Sequence, residues 1–355
     1  MLKDKWGQLM RFLRNDIGID LGTSNMLVYV RGKGIILNEP SVVAVNQKTG
    51  QVVAVGTEAK NMLGRTPPHI VAVRPIVDGV ISDFEVTEEM LHYLLNKAQA
   101  ISKKFLGPRV VVGVPSSITN VETRAVRDAT KNAGASEVHI VEEPMAAAIG
   151  MHLPINEPLG SMVIDIGGGT TDIAIISLNG VISSKNIHVA GDKLNSDISA
   201  YIRNEFKIVI GEKTSENIKT QITSLLAEKT SFETQARGRD LITGLPREVV
   251  VTDSDIREAI SHSIERLIEA TKEVLEMTPP EILSDIMHRG IYLAGGGALI
   301  KGFADILKEE VKMPVYIADD PLTCVVRGTG IILEHLEKYK EVLIANEEDV
   351  SNKAH

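Results

Sequence analysis

The sequence is poor in the residues that most small-domain and metal chemistry relies on. Among 355 residues there is one cysteine, Cys324, one tryptophan, and an aromatic content of 4%. A single thiol excludes an internal disulfide and any cysteine-rich metal site, and it fits a reducing compartment. No apolar run approaches the roughly 18 residues expected of a membrane span. The N-terminus has neither the continuous apolar core nor the small-residue cleavage site of a signal peptide. A soluble, cytoplasmic protein is therefore expected. Basic residues are outnumbered, 38 against 47 acidic, for a net charge of -9. That balance argues against a general nucleic-acid binder, which needs a basic surface to neutralise phosphates. Several catalytic motifs are also missing. There is no G-x-x-x-x-G-K-[ST], since Gly211-Glu212-Lys213-Thr214 resembles only its end, and no helix-opening G-x-G-x-x-G followed by a suitably placed acidic residue. The nine histidines form no H-E-x-x-H, and no G-x-S-x-G elbow occurs, so zinc hydrolysis and serine hydrolysis fall away.

What remains is an ordinary globular composition, 43% hydrophobic and 24% charged, long enough for about two domains. Residues 1–14, MLKDKWGQLMRFLR, stand apart. At 100° per residue Leu2, Trp6, Leu9 and Leu13 share one helical face with Met10 beside them, while Asp4, Gln8, Arg11 and Arg14 take the other. Four basic residues and one acidic give this stretch a side-chain charge of +3 within a negative chain. A basic amphipathic helix carrying tryptophan suits an anionic membrane surface. The same apolar face also suits packing on the protein's own core. Gly7 weakens the helix by about 1 kcal/mol relative to alanine under either reading.

The body opens with strands. DIGIDLGTSNMLVYVRG reads as two strands around a turn at Gly22–Asn25, and ILNEPSVVAV and QVVAVG continue the pattern with KTG between them. Helix and strand then alternate: VTEEMLHYLLNKAQAI, RVVVGVP, SITNVETRAVRDATKNAG closed by Gly134, EVHIVEEP and PMAAAIG. The alternation predicts an α/β architecture. A second half begins near Gly160. Asp20-Leu-Gly22-Thr23 aligns with Asp165-Ile-Gly167-Gly168, each after an isoleucine-rich strand and before a β-branched one, which is a weak internal repeat. Residues 195–275 read as mostly helical, with a polar strand-like interruption at 231–252, and GIYLAGGGALIKGFADIL reads as strand, glycine turn, helix. The tail NEEDVSNKAH is polar.

Three glycine clusters each follow a strand: Gly22-Thr23-Ser24-Asn25, Gly167-Gly168-Gly169-Thr170-Thr171 and Gly295-Gly296-Gly297. Glycine lets backbone N–H groups approach a polyphosphate, and neighbouring hydroxyl and amide groups add donors. Asp20 and Asp165, one at each of two strand ends, suit a hydrated Mg²⁺. One such turn is better explained by a tight hairpin. Three of them point to a phosphate-binding cleft.

The combination of IDLGT, VEEPMAAAIG, DIGGGTTD and LAGGGALI resembles the actin, Hsp70 and sugar-kinase superfamily. NEPSVVAV, AKNMLGRTP, RPIVDGVISDFE, GVPSSIT, TGLPRE, TPPEILSDI and ADDPLTCV narrow the resemblance to the MreB family of bacterial actins, from about residue 15 to about residue 340. The resemblance implies an α/β, actin-like ATPase fold. Two related domains, each with a large and a small subdomain, would surround a nucleotide cleft. Residues 1–14 would be a membrane-binding helix, 15–154 the first domain with its small subdomain at about 32–74, and 155–331 the second with its small subdomain at about 192–258. Residues 332–355 would be a C-terminal helix returning to the first domain, plus the tail.

By the same resemblance, Thr23, Ser24 and Asn25 contact the β- and γ-phosphates of ATP in the first hairpin, and Gly167, Gly168, Gly169 and Thr170 do so in the second. Asp20 and Asp165 lie near Mg²⁺, Glu216 and Lys219 border the ribose and adenine, and Gly295, Gly296, Gly297 and Ala298 pass beneath the nucleotide. Glu143 matches the residue that orients or activates the attacking water, and Thr170 a second residue near it. Read on its own, Glu143 is a helix N-terminal carboxylate followed by Pro144 in the first turn. Ser24 stands where alanine is usual in the family, Asp172 where glutamate is, and Asn195 where aspartate is, which bears on the hydrolysis rate. The family implies self-assembly into paired antiparallel filaments on the inner face of an anionic membrane. It also implies membrane-protein partners of the shape or wall-synthesis machinery, and no nucleic acid. Phe105-Leu106 matches a loop that some members insert in the bilayer, although an isolated Phe-Leu also suits a local core. A motility filament, a scaffold with weak hydrolysis and a small-molecule kinase are the alternatives. A chaperone of the Hsp70 type would need a further peptide-binding domain after residue 340.

Overall fold

The structure is a computed structural model, and it describes residues 14–102, 106–227 and 231–345. Leu2, Trp6, Leu9, Leu13 and Phe105 therefore lie outside the described residues. The chain divides into two compact units. One comprises Met1–Leu159, Ile176–Val181 and Thr323–His355, and the other Gly160–Ile175 and Ile182–Leu322. The division falls at 159/160 and 322/323, where the sequence reading places 154/155 and 331/332.

The first unit begins with β1 (Arg14–Leu21), β2 (Asn25–Val30) and β3 (Gly34–Pro40), followed by β4 (Val43–Asn46), β5 (Val52–Val55), α1 (Thr57–Met62) and β6 (Ile70–Val73). A two-residue pair, β7 (Ile76–Val77) and β8 (Val80–Ile81), leads into α2 (Phe84–Ser102), β9 (Leu106–Val114), α3 (Asn120–Asn132), β10 (Glu137–Glu142) and α4 (Glu143–Gly150). Five strands form the main sheet in the order β10-β9-β1-β2-β3, while β5-β4-β6 make a separate small sheet inside the expected 32–74 stretch. β1 pairs antiparallel with β2 and parallel with β9, and β9 parallel with β10. The central strands are buried on both faces, as expected of parallel strands with helices on either side. Their Ile17, Ile19, Val110, Val112 and Ile140 meet Leu91, Leu94 and Val126 of the helices in one core. α3 starts at Asn120, inside the expected segment and not at its first residue Ser117, because Thr119 and Glu122 form a reciprocal capping box.

The second unit repeats the plan with β11 (Ser161–Ile166), β12 (Thr171–Ser177), β13 (Gly180–Ile187), α5 (Gly191–Phe206), β14 (Ile208–Val209), α6 (Glu212–Ile222), β15 (Glu233–Asp240), β16 (Pro246–Thr252), α7 (Asp253–Glu276), α8 (Pro280–Arg289), β17 (Ile291–Ala294), α9 (Phe303–Val311) and β18 (Val315–Ile317). Its main sheet runs β13-β12-β11-β17-β18. Reading each sheet from its meander side, both follow one scheme: third, second and first strands, then the two later parallel strands. The weak Asp-x-Gly repeat in the sequence is thus a repeat of topology. The polar interruption at 231–252 is the antiparallel β15–β16 hairpin.

α10 (Cys324–Glu334) belongs to the first unit and starts ahead of the expected boundary at 332. Two glycines, Gly328 and Gly330, weaken its helical signal in the sequence, yet they are what lets it dock. A Cβ on Gly328 would fall 1.8 Å from the Ala146 carbonyl oxygen, and one on Gly330 2.8 Å from the Tyr29 ring. Glycine here allows backbone-to-backbone approach to α4 and ring contact with β2.

Candidate nucleotide-binding site

In the first unit the parallel ladder sets the site. Asp20 lies opposite Gly113, and Gly113 opposite Val141, so the carboxyl ends of β1, β9 and β10 finish together. Ligands of open α/β sheets gather at such strand ends. Beyond Asp20 the chain turns through Gly22, where a Cβ would lie 2.5 Å from the Asn25 carbonyl oxygen. The turn is braced from below: the Ser41 hydroxyl donates to the Gly22 carbonyl at 2.5 Å, and the Ser41 N–H donates to the Ser24 carbonyl at 3.0 Å. Thr23 is buried and its hydroxyl accepts the Gly79 N–H at 3.0 Å. The Asn25 amide donates to Asn38 at 2.6 Å. Ser24 alone of the three presents an exposed side chain.

Glu143 follows β10 as the first residue of α4, with Pro144 next, so the helix-terminal geometry inferred from Glu142-Glu143-Pro144 is present. A Cβ on Gly113 would be 3.7 Å from Cγ of Glu143 and 2.9 Å from Val325. Gly113 therefore lets Glu143 lie close over the end of β9, within the same strand-end cluster as Asp20. Burial pushes the Asp20 carboxyl up to about 7.

In the second unit the arrangement recurs. Asp165 lies opposite Ala294 in the β11–β17 pair, and Gly295 follows directly. Gly295 has a left-handed φ of 76°, and a Cβ there would meet Asp165 Oδ1 at 2.4 Å and the Ile166 carbonyl oxygen at 2.3 Å. Only glycine allows that crossing. Gly297 is equally close to Ile166, and Ala298 is buried on the same 3₁₀ turn. The Gly167-to-Thr170 turn closes on itself through the Gly167 N–H, which donates to the Thr170 carbonyl at 3.0 Å. It is tied to the start of α5 by two further bonds, Gly191 N–H to the Gly167 carbonyl (3.1 Å) and Asp192 N–H to the Gly168 carbonyl (2.8 Å). From α6, Lys219 Nζ donates to the Gly191 carbonyl at 2.9 Å, and its Nζ would be 3.3 Å from a Cβ on Gly191. Asp165, the 167–170 turn, Lys219 and Gly295–Ala298 thus form one continuous neighbourhood. Glu216 is half-buried one turn before Lys219 on the same helix.

The sequence did not single out Gly113, Gly191 or the buttress Ser41. Gly191 leaves a faint trace as a glycine opening a helix. The other two have none, because their roles arise from contacts across strands distant in the chain.

Among the described residues no three His, Cys, Asp or Glu side chains gather as a metal cage. Mg²⁺ keeps several waters and needs only one or two carboxylates. Each unit by itself offers one such carboxylate: Asp20 bears a burial cost that a cation would relieve, and Asp165 is 7% exposed beside the Gly295 crossing.

Three comparisons bear on this geometry. Residues 14–341 match the family described as MreB/Mbl protein. The chain is 50% identical over 323 residues to the cell shape-determining protein Mbl of Bacillus cereus, covering 91% of this chain and 97% of that one. It superposes on MreB5 of Spiroplasma citri bound to ADP with a TM-score of 0.88 at 39% identity, covering 93% of this chain and 99% of the other. On the same protein bound to AMPPNP it superposes with a TM-score of 0.86 at 40% identity, covering 92% and 98%. The actin-like fold, the duplicated strand-end turns and these likenesses agree: the chain belongs to the MreB/Mbl family.

Proposed function

We propose that the protein is an ATP-hydrolysing, filament-forming actin of the bacterial cytoplasm that acts on cell shape from the inner face of the membrane. The observation that carries the reading is the duplicated strand end, Asp20 with the Gly22–Asn25 turn and Asp165 with the Gly167–Thr170 turn, each backed by a parallel strand. In this reading both hairpins engage one nucleoside triphosphate. Backbone N–H groups of the turns and the Ser24 hydroxyl bind phosphate oxygens, and Glu216 and Lys219 border the nucleoside. The domain assignment keeps a small subdomain in each half, at about 32–74 and about 192–258. Asp20 and Asp165 hold Mg²⁺ through its waters, and the ion supplies charge neutralisation on the phosphates. Glu143 orients the attacking water, with Thr170 near it, so that catalysis is chiefly positioning. A nucleotide-dependent conformation of the subunit links hydrolysis to assembly.

The likeness to structures holding ADP and AMPPNP supports nucleotide binding, and the name of the Mbl relative supports a role in cell shape. Membrane attachment is supported by one register. Arg14, where the basic amphipathic stretch ends, pairs with Leu106, which the structure places not in a loop but as the exposed first residue of β9, and its Nε donates to the Gly107 carbonyl at 3.2 Å. Among the described residues no helix is long and apolar enough to cross a membrane, so the attachment proposed is peripheral. Organisation of wall synthesis in paired antiparallel filaments is the form this role takes in the proposal.

The test is electron microscopy on anionic lipid with ATP and without nucleotide, with phosphate release followed in the same sample. Filaments with release are expected. Glu143→Ala should keep nucleotide binding and slow release more than tenfold. Filaments without release would reduce the protein to a scaffold. Release without filaments would overturn the cytoskeletal reading.

A further inference from the structure

The small β14-β15-β16 sheet of the second unit is open along part of one side. β15 pairs with β16 from Glu233, opposite Thr252, to Arg239, opposite Pro246. In an antiparallel ladder only every second residue turns its N–H and C=O towards a given neighbour. The Asp253 N–H donates to the Phe232 carbonyl and the Asp240 N–H to the Leu245 carbonyl, both at 2.9 Å, so the even-numbered Thr234, Ala236 and Gly238 face β16. The odd-numbered residues face the other way. β14 meets them at one end only: Val209 lies opposite Arg239, and the Leu241 N–H donates to the Lys207 carbonyl at 2.9 Å. The same register would put Gly211 opposite Arg237, but Gly211 is the N-cap of α6, where the chain leaves the sheet. Among the described residues no backbone hydrogen bond reaches the outward N–H and C=O of Gln235 or Arg237.

A cavity of about 540 Å³ lies along this open stretch. One wall is β15, at Thr234, Gln235 and Arg237, and the other is a stripe of α6, Thr214, Asn217 and Gln221, with Ile218 beside it. The size is that of a ligand site, but the lining is hydroxyl and amide where such sites are mostly apolar. An open strand edge suits one ligand chemistry above others, the main chain of an extended peptide. Its N–H and C=O groups recur on one side every ~6.8 Å, the interval that separates those of Gln235 and Arg237. Such a peptide has a second edge that also needs partners. Across the groove it meets the Thr214 hydroxyl and the Asn217 and Gln221 amides, each able to donate and to accept. The Thr234 hydroxyl donates to Gln221 Oε1 at 3.1 Å and ties the two walls at one end. At 100° per residue Glu216 and Lys219 fall on the opposite side of α6 from this stripe, so the groove is separate from the residues proposed to border the nucleoside.

We propose that this groove takes a short extended segment of a partner protein, which adds to β15 as a strand through the main chain of Gln235 and Arg237. Main-chain bonds supply the attachment, and the hydroxyl and amide stripe of α6 satisfies the outer edge of the bound segment. The assignment rests on neither the nucleotide nor the membrane reading above.

The probe is the capped pentapeptide acetyl-Thr-Val-Thr-Val-Thr-amide, whose residues favour strands. The readout is the backbone amide NMR spectrum of the isotope-labelled full chain without nucleotide. In the free protein the amides of Gln235 and Arg237 should exchange with solvent faster than those of Thr234, Ala236 and Gly238. At millimolar peptide the Gln235 and Arg237 amide protons should move downfield while those of Thr234 and Ala236 stay nearly still, an alternation that side-chain binding alone does not produce. Gln235→Pro removes one outward N–H and spares the bonds to β16, so it should abolish binding while the Ala236 amide stays protected. Asn217→Ala together with Gln221→Ala leaves the strand untouched and should weaken binding roughly tenfold, the cost of about one unmade hydrogen bond. Slow exchange at Gln235 and Arg237 in the free protein, or peptide-induced shifts that are absent or do not alternate, overturns the proposal. The same alternation on raising the protein concentration alone would assign the groove to a second copy of this chain and overturn the partner segment.

Discussion

Asp20 offers the sharpest quantitative test, because burial works against the charge its proposed role needs. Its carboxyl is pushed from 3.8 up to about 7 by desolvation. At about 1.36 kcal/mol per pKa unit, the ionised form costs the empty protein up to ~4 kcal/mol, and solvent reaching the partly exposed group reduces that to about 2. A carboxylate whose folded pKa is raised binds its proton more tightly in the folded state. Stability therefore falls as pH rises from the ordinary carboxylate range through 7, and is level above it. Asp20→Asn keeps the shape and removes the charge. In urea unfolding without nucleotide or divalent cation, the variant should be about 2 kcal/mol more stable than the parent at pH 8 and less than 1 kcal/mol more stable at pH 5. With Mg²⁺ and nucleotide present the order should reverse, since the parent alone gains a carboxylate partner for the cation. A difference between the two proteins that does not change with pH would refute the argument, as would a variant less stable than the parent at pH 8.

Gly328→Ala should lower the urea-unfolding free energy by about 3 kcal/mol, because the new methyl would overlap the fixed Ala146 carbonyl and force α10 away from α4. Glu137 is held down at about 2, first by its hydrogen bond from His139 and then by the charges of His139, Arg14 and Arg109. Its contribution is present above pH 4.5 and lost as pH falls towards 2; because the carboxylate is 41% exposed, Glu137→Gln should cost about 1 kcal/mol at pH 7, with the gap closing across that window in acid titration followed by circular dichroism. Asn195→Asp should be destabilising by about 2 kcal/mol at pH 8 and much less at pH 5, since the side chain is 6% exposed and its Oδ1 accepts no hydrogen bond; greater stability at pH 8 in thermal unfolding would mean that the pocket keeps a partner for the family's aspartate.

The strands and helices were legible wherever period and punctuation agreed. The β1–β2 hairpin shows itself through an apolar run on each side of Gly22–Asn25, and α3 through the closing Gly134. The extent of α10 was less legible, because Gly328 and Gly330 argue locally against a helix and only the facing Ala146 and Tyr29 explain them. The candidate site divides in the same way. Asp20, Asp165 and the glycine turns stand out because two hairpins carry the same spacing. Glu143 reads locally as nothing more than a helix-terminal carboxylate, and the family resemblance alone gives it a catalytic role. The commitment of Thr23 to Gly79 and of Asn25 to Asn38 lies beyond any local pattern, since each partner is placed by the folded chain. These bonds orient the two side chains and leave each a donor, the Thr23 hydroxyl proton and the second Asn25 amide N–H.

The glycines show why composition could not separate stability from function here. Some meet the protein's own core: a Cβ on Gly18 would strike Thr329, one on Gly150 the Cys324 carbonyl, and one on Gly160 Ile282. Others meet groups that the proposed nucleotide or its cation would need, as Gly295 meets Asp165 Oδ1 and Gly191 meets Lys219 Nζ. The sequence records both as the same letter. The first kind fixes how closely elements approach, so its loss acts on folding in any solution. At the second kind a side chain would fill the space beside a charged group, so its loss acts additionally on ligand binding. Gly191→Ala separates the two: its Cβ would meet only the flexible end of Lys219 at 3.3 Å and the Gly167 turn at 3.4 Å, so folding should change little while the amine proposed to border the nucleoside is displaced and nucleotide affinity in calorimetry should fall.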